Sequence, residues 1–376
     1  MLNGGIHLTL LIGPLVPVPA PQSVMDALAS VQVTSGKDRS GFQIKFNVSK
    51  DSMLLRTLLP AGYFDPMSTR VIVIVTLNGF PNVLMDGIVT QQELAPSNEP
   101  GQSTLTITGE DLSVLMDVVE LIKPYPNMPE IAQLYTVMAP YLTFGIVPVL
   151  IPPIVSTISV LTDKIESQVM MTDRAYMQQM AQRCGYVFYV EPGPAPFTSI
   201  AYFGPDIRLP IPQHALNVNM DAETNVESLT FSLDGLAKKV RIVTILDPIT
   251  KKIPIPIPVP NINVFKPPLG ARPSPPSKIH FAKDFAKLNP DKAAQKLLGF
   301  LMNNPDSITA SGSLDVLRYG HVLRSRMLVG VRGASLAYDG MYYVDSVTHD
   351  IKPGEYKINF TLGRDGLISL TPKVIP

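Results

Sequence analysis

Residues 71–89 read VIVIVTLNGFPNVLMDGIV, and residues 328–344 read LVGVRGASLAYDGMYYV. Each stretch opens on an apolar run, crosses a glycine-bearing turn, and reaches an aspartate-glycine pair followed by a second apolar run. Val71–Val75 is unbroken and β-branched, the pattern of a strand buried on both faces. Asn78-Gly79 and Asp86-Gly87 are turn dipeptides, and Asp-Gly between apolar runs signals a hairpin. Downstream, Ser103–Thr108 ends on Gly109-Glu110-Asp111-Leu112, and Lys357–Leu362 ends on Gly363-Arg364-Asp365-Gly366-Leu367. Setting Asp86 on Asp339 also sets Leu105 on Ile358 and Ile107 on Phe360, so side-chain parity is kept. The Gly-x-Asp ends then fall one residue out of step. A slip of one inside a strand would turn every side chain to the wrong face, which places it at a turn. The pattern predicts a duplicated β-barrel, with chance likeness between two hairpins as the competing reading.

Outward from these runs, Val31–Thr34 and Phe42–Val48 alternate apolar and polar residues around a turn at Ser35–Gly41. Val114–Ile122 suits a short helix before Pro124. In the middle of the chain, Thr172-Asp173 suits a helix N-cap, and Tyr176, Met177, Met180, Ala181 and Cys184 share one helical face. Gly185 suits the position just past that helix. Tyr186–Val190 and Thr198–Phe203 read as a hairpin about the Pro192-Gly193-Pro194 turn. Val226–Leu233 and Lys239–Ile245 return to strand patterning. Pro254, Pro256, Pro258, Pro260, Pro267, Pro268, Pro273, Pro275 and Pro276 then fix φ repeatedly and cannot build a central strand; an extended strap or linker is expected. A short helix follows, with Asn289 as cap, Pro290 at its first position, Ala294, Leu297, Leu298 and Leu301 on its face, and Pro305 beyond its end.

The fold class that results is mainly β (α+β). It has a first tube-like barrel at 1–118, an inserted α+β domain at 119–212, and a second barrel from 213–246 and 312–376. A proline-rich segment with a short helix, 247–311, interrupts the second barrel.

Composition narrows the function. The 376 residues carry 31 basic and 31 acidic side chains, so no net charge is available for a broad nucleic-acid-binding face. Charged residues make up 16%, against about 25% in a typical soluble domain, and such a surface invites association. One cysteine excludes an intrachain disulfide and any cysteine-rich zinc site. Thirty-seven prolines and no tryptophan disfavour a helical bundle. Ile6–Val18 is apolar, but nothing basic precedes it and Pro14 and Pro17 interrupt it, so no signal peptide is read there. Residues 131–162 carry no charge and are long enough to span a bilayer. Pro140, Pro148, Pro152 and Pro153 remove amide donors within that stretch, so a buried or subunit-facing insertion is expected rather than stable membrane insertion.

No catalytic constellation is visible. His7, His214, His280, His321 and His349 are far apart and show no metal-ligand spacing. Cys184 sits on an apolar helix face beside Met180 and Ala181, where packing is expected rather than nucleophilic chemistry. Glu110-Asp111 ends a strand, where solvated turn carboxylates are the ordinary reading and a glycosidase pair lacks a second signal. Gly330-Val331-Arg332-Gly333 lies in a strand-turn context rather than a phosphate loop, and Met170-Met171 with Met177 and Met180 reads as core filler.

The order of these segments resembles a known family. Residues 171–177, MTDRAYM, lead to residues 181–190, AQRCGYVFYV. Residues 225–231 read NVESLTF, and the C-terminal run passes from LVGVRG at 328–333 through YDGMYYV at 338–344 to GEYK at 354–357, FTL at 360–362 and RDGL at 364–367. Together they resemble the baseplate hub of contractile tails: phage late control D proteins, extracellular contractile injection systems, and the hub portion of type VI secretion spikes. The resemblance covers about Leu8 to Leu367 and is weakest over 131–162 and the proline-rich insertion. It implies a structural protein rather than an enzyme: a homotrimer adapting a sixfold inner tube to a threefold spike. The implied partners are the tube protein, a separate spike protein and other baseplate components, with no nucleic-acid sequence recognition and no cofactor. Synthesis in the bacterial cytoplasm and assembly into a tail-like particle follow from the same resemblance. A hub-associated cell-wall hydrolase and a β-rich binding module or adhesin are the alternatives.

Overall fold

Arg70–Leu77 and its neighbours form the expected strands, and the computed structural model describes residues 5–14, 16–37, 40–99, 102–154, 166–208, 212–246, 254–259, 265–282, 290–302 and 305–370. The expected cap Asn289, Pro260 and the 155–162 end of the uncharged stretch lie outside the described residues. The N-terminal part comprises β1 (Ile6–Gly13), β2 (Val18–Pro19), α1 (Gln22–Asp26), β3 (Leu28–Ser35), β4 (Ser40–Val48), a π-helical turn at Leu54–Leu58, β5 (Arg70–Leu77), β6 (Phe80–Ala95) and β7 (Ser103–Asp111). They pair in the order β3-β4-β7-β6-β5-β1, all antiparallel. Phe42, Ile44, Phe46 and Val48 of β4 are buried while Lys45 and Asn47 are exposed, as alternation requires. In β5 all five residues Val71–Val75 are buried: Val71, Val73 and Val75 join the main core, Ile72 and Ile74 a second cluster with Leu11 and Val83.

Asp86-Gly87 is not a turn. Asn78 and Gly79, with φ of 52° and 85°, turn the chain by themselves, and β6 runs straight through Asp86. The aspartate survives inside a buried strand because Arg70 neutralises it across the β5–β6 pair. Asp339, by contrast, does lie in a turn, accepting from the Ala334 and Ser335 amides at 2.8 and 3.2 Å just before a strand begins.

The middle part starts with a 3-10 turn at Leu112–Asp117 and β8 (Glu120–Tyr125), where the sequence predicts one helix. It continues with α2 (Glu130–Met138), a 3-10 turn at Ala139–Phe144, β9 (Ile146–Leu150), β10 (Glu166–Thr172), α3 (Asp173–Cys184), β11 (Val187–Pro192) and β12 (Ser199–Gly204). The Thr172 hydroxyl accepts from the Ala175 amide at 3.2 Å, and Gly185 is left-handed at φ 72°, so both ends of α3 are capped as the sequence predicts. Its face Tyr176, Met177, Met180, Ala181 and Cys184 packs on Leu134, Val137 and Phe203. Of the uncharged stretch, Leu134, Val137, Met138, Ile146 and Leu150 are buried in this second core, whereas Tyr135, Leu142, Val147, Val149 and Ile154 are exposed. Among the described residues no helix is long and apolar enough to cross a membrane.

The C-terminal part comprises β13 (Pro212–Asn217), β14 (Ser228–Leu233), β15 (Lys239–Leu246), β16 (Pro254–Val259), β17 (Gly270–Pro273), β18 (Lys278–Ala282), α4 (Pro290–Met302), β19 (Ile308–Asp315), α5 (Val316–Tyr319), β20 (Leu328–Arg332), β21 (Gly340–Lys352), β22 (Glu355–Arg364) and β23 (Gly366–Ser369). Here the pairing order is β14-β19-β22-β21-β20-β13. β15, expected in the second barrel, instead centres a small sheet between β16 and β18. The prolines permit this because β16 is an edge strand, pairing only with β15 among the described residues. On α4, Leu297 and Leu301 pack on Val243 and Ala282, whereas Ala294 is exposed.

Among the described residues no closed barrel forms. The edge of β3 that closure would need is paired instead with β21, Ser35 opposite Val347 through Val31 opposite Ile351. One thirteen-stranded sheet therefore runs through both ends of the chain. Both β6 and β21 carry a bulge against their next strand, at Thr90 and Asp345. Just before each bulge, a left-handed residue docks on the strand. Met67 (φ 62°) donates its amide to the Val89 carbonyl at 2.7 Å, and Arg326 (φ 62°) donates to Val344 at 2.8 Å.

Candidate functional site

A recess lined by Glu191, Asp206, Arg324 and Arg326 lies where the three parts of the chain meet, a cavity of ≈ 390 Å³. β11 and the loop after β12 bring Tyr189, Glu191 and Asp206; the loop before β20 brings Arg324 and Arg326; β21 brings Tyr343 and His349. Arg326 lies over the Tyr189 ring, 3.8 Å from its centre, bonds the Gly36 carbonyl, and reaches Glu191 at 3.4 Å. One guanidinium thus fastens the N-terminal sheet, the middle part and the C-terminal sheet. The Tyr343 hydroxyl donates to Asp206 at 3.0 Å, and Lys266 pairs with the same carboxylate.

Burial sets the protonation of this site. It raises the Glu191 carboxyl, opposed by Arg326 and Arg324. It works the same way on Asp206, but Lys266, Lys37 and the Tyr343 hydroxyl outweigh it and hold that carboxyl below its usual range. His349 is pushed down to about 3 by burial and then by Arg324, and its Nδ1 lies 2.9 Å from the Tyr356 hydroxyl. The imidazole is therefore neutral. Asp345, the bulged residue of β21, is pushed up to about 6 by burial and by Asp306. A Cβ on Gly363 would lie 2.6 Å from one of these carboxylates and 2.8 Å from the other, which is why glycine stands between them. Asp306 has its own cation, Arg208 at 2.5 Å. Arg326 with Glu191, Lys266 with Asp206 and Arg208 with Asp306 pair across segments, an arrangement suited to holding the three parts of the chain together.

The residues weighed from sequence lie elsewhere. Cys184 is buried, 3.3 Å from the Gln295 amide, with its thiol pushed up to about 12 by burial. That is the opposite of an activated nucleophile. His214 and His321 do converge, stacked 3.4 Å apart, but among the described residues no three His, Cys, Asp or Glu side chains gather as a metal site. Asp111 is not a solvated turn acid: it is 4% exposed and accepts from the Ser113 amide at 2.8 Å, capping the 3-10 turn. Glu110 pairs with Arg174 at 3.2 Å. Gly330 and Arg332 lie in β20, and Gly333 turns at φ 85°. Sequence reasoning missed the junction itself; its one local trace is Asp345 inside the apolar run of β21.

Neither a protein-family model nor a curated protein matches the sequence. Solved structures do match along nearly the whole chain. A tail protein from Neisseria meningitidis MC58 is 15% identical with a TM-score of 0.60, covering 97% of this chain and 98% of its own. The 43 kDa tail protein of prophage MuSo2 from Shewanella oneidensis is 10% identical with a TM-score of 0.61, covering 96% and 99%. The E. coli c3393 protein, a type VI secretion component described as similar to T4 bacteriophage tail proteins gp27 and gp5, is 10% identical with a TM-score of 0.52, covering 93% and 77%. The chain shares the fold of these tail proteins.

Proposed function

We propose that this chain is a structural hub in the baseplate of a contractile phage tail or injection system, a homotrimer that adapts a sixfold inner tube to a threefold spike. The observation that carries the reading is an internal correspondence. Leaving aside the two-residue β2, six sheet strands of each end, numbered along the chain, pair in one order, 1-4-5-6-3-2: β1, β3, β4, β5, β6 and β7 at one end, and β13, β14, β19, β20, β21 and β22 at the other. Aligning the two bulges sets Val89 on Val344, and the matched docking of Met67 and Arg326 supports that register. The next strand then sets Leu105 on Ile358 and Ile107 on Phe360. One difference stands: β1 is antiparallel to β5, whereas β13 is parallel to β20.

Two like units per chain would reconcile the two symmetries. Three chains present six units, equivalent toward a sixfold tube and alternating toward a threefold spike. The units are a first at 1–118 and a second from 213–246 and 312–376, the second without β15 and with β19 starting at Ile308, and the α+β domain at 119–212 and the proline-rich segment from 247 onward are insertions. The partners are the tube protein, the spike and other baseplate components, the place of action is the assembled particle, and no catalytic role is assigned. Light scattering on the purified chain, and copy number at the baseplate in electron micrographs of the particle, test this reading. Three copies are expected; one or six would defeat it.

A further inference from the structure

Several strand edges of the large sheet have no partner strand among the described residues, the outer sides of β2 and β13 among them, and two of the others match edges that are joined elsewhere in the chain. One is the edge of β14 facing away from β19; the other is the β5 side of β6 beyond Val89, along Gln91–Ala95. The β6 edge carries one charge, Glu93, and the β14 edge none. Residues 228–233, SLTFSL, contain no charge or proline, and β14 has no bulge against β19. An open edge of that kind is a template for another strand. Leu233 is 44% exposed and Leu94 42%.

Inside the chain, the corresponding edges are already joined. Following register from β6–β7 to β21–β22, and through β4 and β19, sets Glu93 on Thr348 and Ser232 on Thr34. The same path sets Leu229 on Val31 and Phe231 on Val33. In the β3–β21 pair, Thr34 is opposite Thr348 with their hydroxyls 3.2 Å apart, and Val31 and Val33 are wholly buried. Leu229 and Phe231 are only half-buried, as on a sheet whose next strand is missing.

We propose that β14 of one copy adds antiparallel to Gln91–Ala95 of β6 in the next copy, repeating between chains the joint that β3 and β21 make within one. Glu93 then faces Ser232, and Leu94 faces Phe231. The two edges differ, so each copy gives one and receives at the other, and a closed ring leaves neither open. The proposal rests on the correspondence between the two ends of the chain argued above, and it adds the surface and register through which copies meet.

Disulfide mapping tests it in a Cys184→Ala background, which leaves no other thiol. Differently tagged Glu93→Cys and Ser232→Cys chains are mixed, assembled and oxidised. Opposed residues of antiparallel strands have Cβ atoms about 4.5–5.5 Å apart, within or just beyond disulfide reach. A crosslink between the two tags is expected, with much less when Thr230→Cys replaces Ser232→Cys. An oligomer by light scattering that gives no crosslink, or equal crosslinking at both positions, overturns the pairing and leaves the hub reading standing. A chain that is single both in solution and at the baseplate overturns the hub reading itself. As a second variant, Leu94→Lys should lower the assembled mass at unchanged circular dichroism; an unchanged mass counts against the pairing.

Discussion

Arg70 and Asp86 form a two-pronged ion pair across β5 and β6, Nε to Oδ1 at 2.7 Å and Nη2 to Oδ2 at 2.6 Å, with both side chains almost wholly out of solvent. The Ser199 hydroxyl of β12 lies 3.3 Å from the same carboxylate, so the pair also ties the sheet to the middle part. Removing one member of a buried pair leaves an uncompensated charge, a loss of about 3–5 kcal/mol. Asp86→Ala should therefore unfold at markedly lower denaturant than Arg70→Met/Asp86→Leu, in which both charges go. Equal losses in urea titrations would show that the pair is not the source of the cost.

Asp345 gives a pH signature. Its carboxyl is raised to about 6 in the folded chain, above the unfolded value, so the fold holds a proton that the unfolded chain releases. Stability from this group is therefore present near pH 4 and lost as pH rises through 6. Asp345→Asn removes the titration, and the variant should gain on the original chain by up to about 3 kcal/mol between pH 4 and pH 7, less where water reaches the half-buried group. Paired melting curves at several pH values check this; a constant gap would refute it.

Cys184 should resist modification. With its thiol pushed up to about 12 inside the second core, reaction with a disulfide reagent at pH 8 should be slow in the native chain and fast in urea. Cys184→Ala should cost roughly 1 kcal/mol, the scale of a small buried side chain. Rapid native labelling would contradict the burial.

Gly185 combines a left-handed backbone with close approach of α4, whose Gly299 stands against it. Gly185→Ala should lose at least about 1–2 kcal/mol from the backbone alone. Gly354, left-handed but with open space around it, serves as the control and should lose less. Thermal denaturation of the two variants separates packing from backbone strain.

What could be read from the sequence was local. The caps of α3 were legible because Thr172 and Gly185 act within a few residues of themselves, and β4 because alternation is carried by adjacent positions. Asp86-Gly87 misled because its partner, Arg70, lies on the preceding strand, and only the folded pair converts a turn-forming acid into a strand residue. The open sheet was illegible for the same reason at longer range: whether β3 closes on its own unit or pairs with β21 depends on residues at opposite ends of the chain. The junction around Arg326 draws on loops whose sequences carry no shared signal.

The pairing of β3 with β21 has a consequence for how the protein is made. Gln32 meets Asp350, a partner 318 positions later in the chain. At a synthesis rate of about 5–20 residues per second, β3 leaves the ribosome well before its partner exists, for roughly 15–60 seconds. Throughout that interval the nascent chain carries a bare strand edge, and its most dangerous neighbours are nascent chains of the same message. Slowed translation should therefore raise the fraction that aggregates.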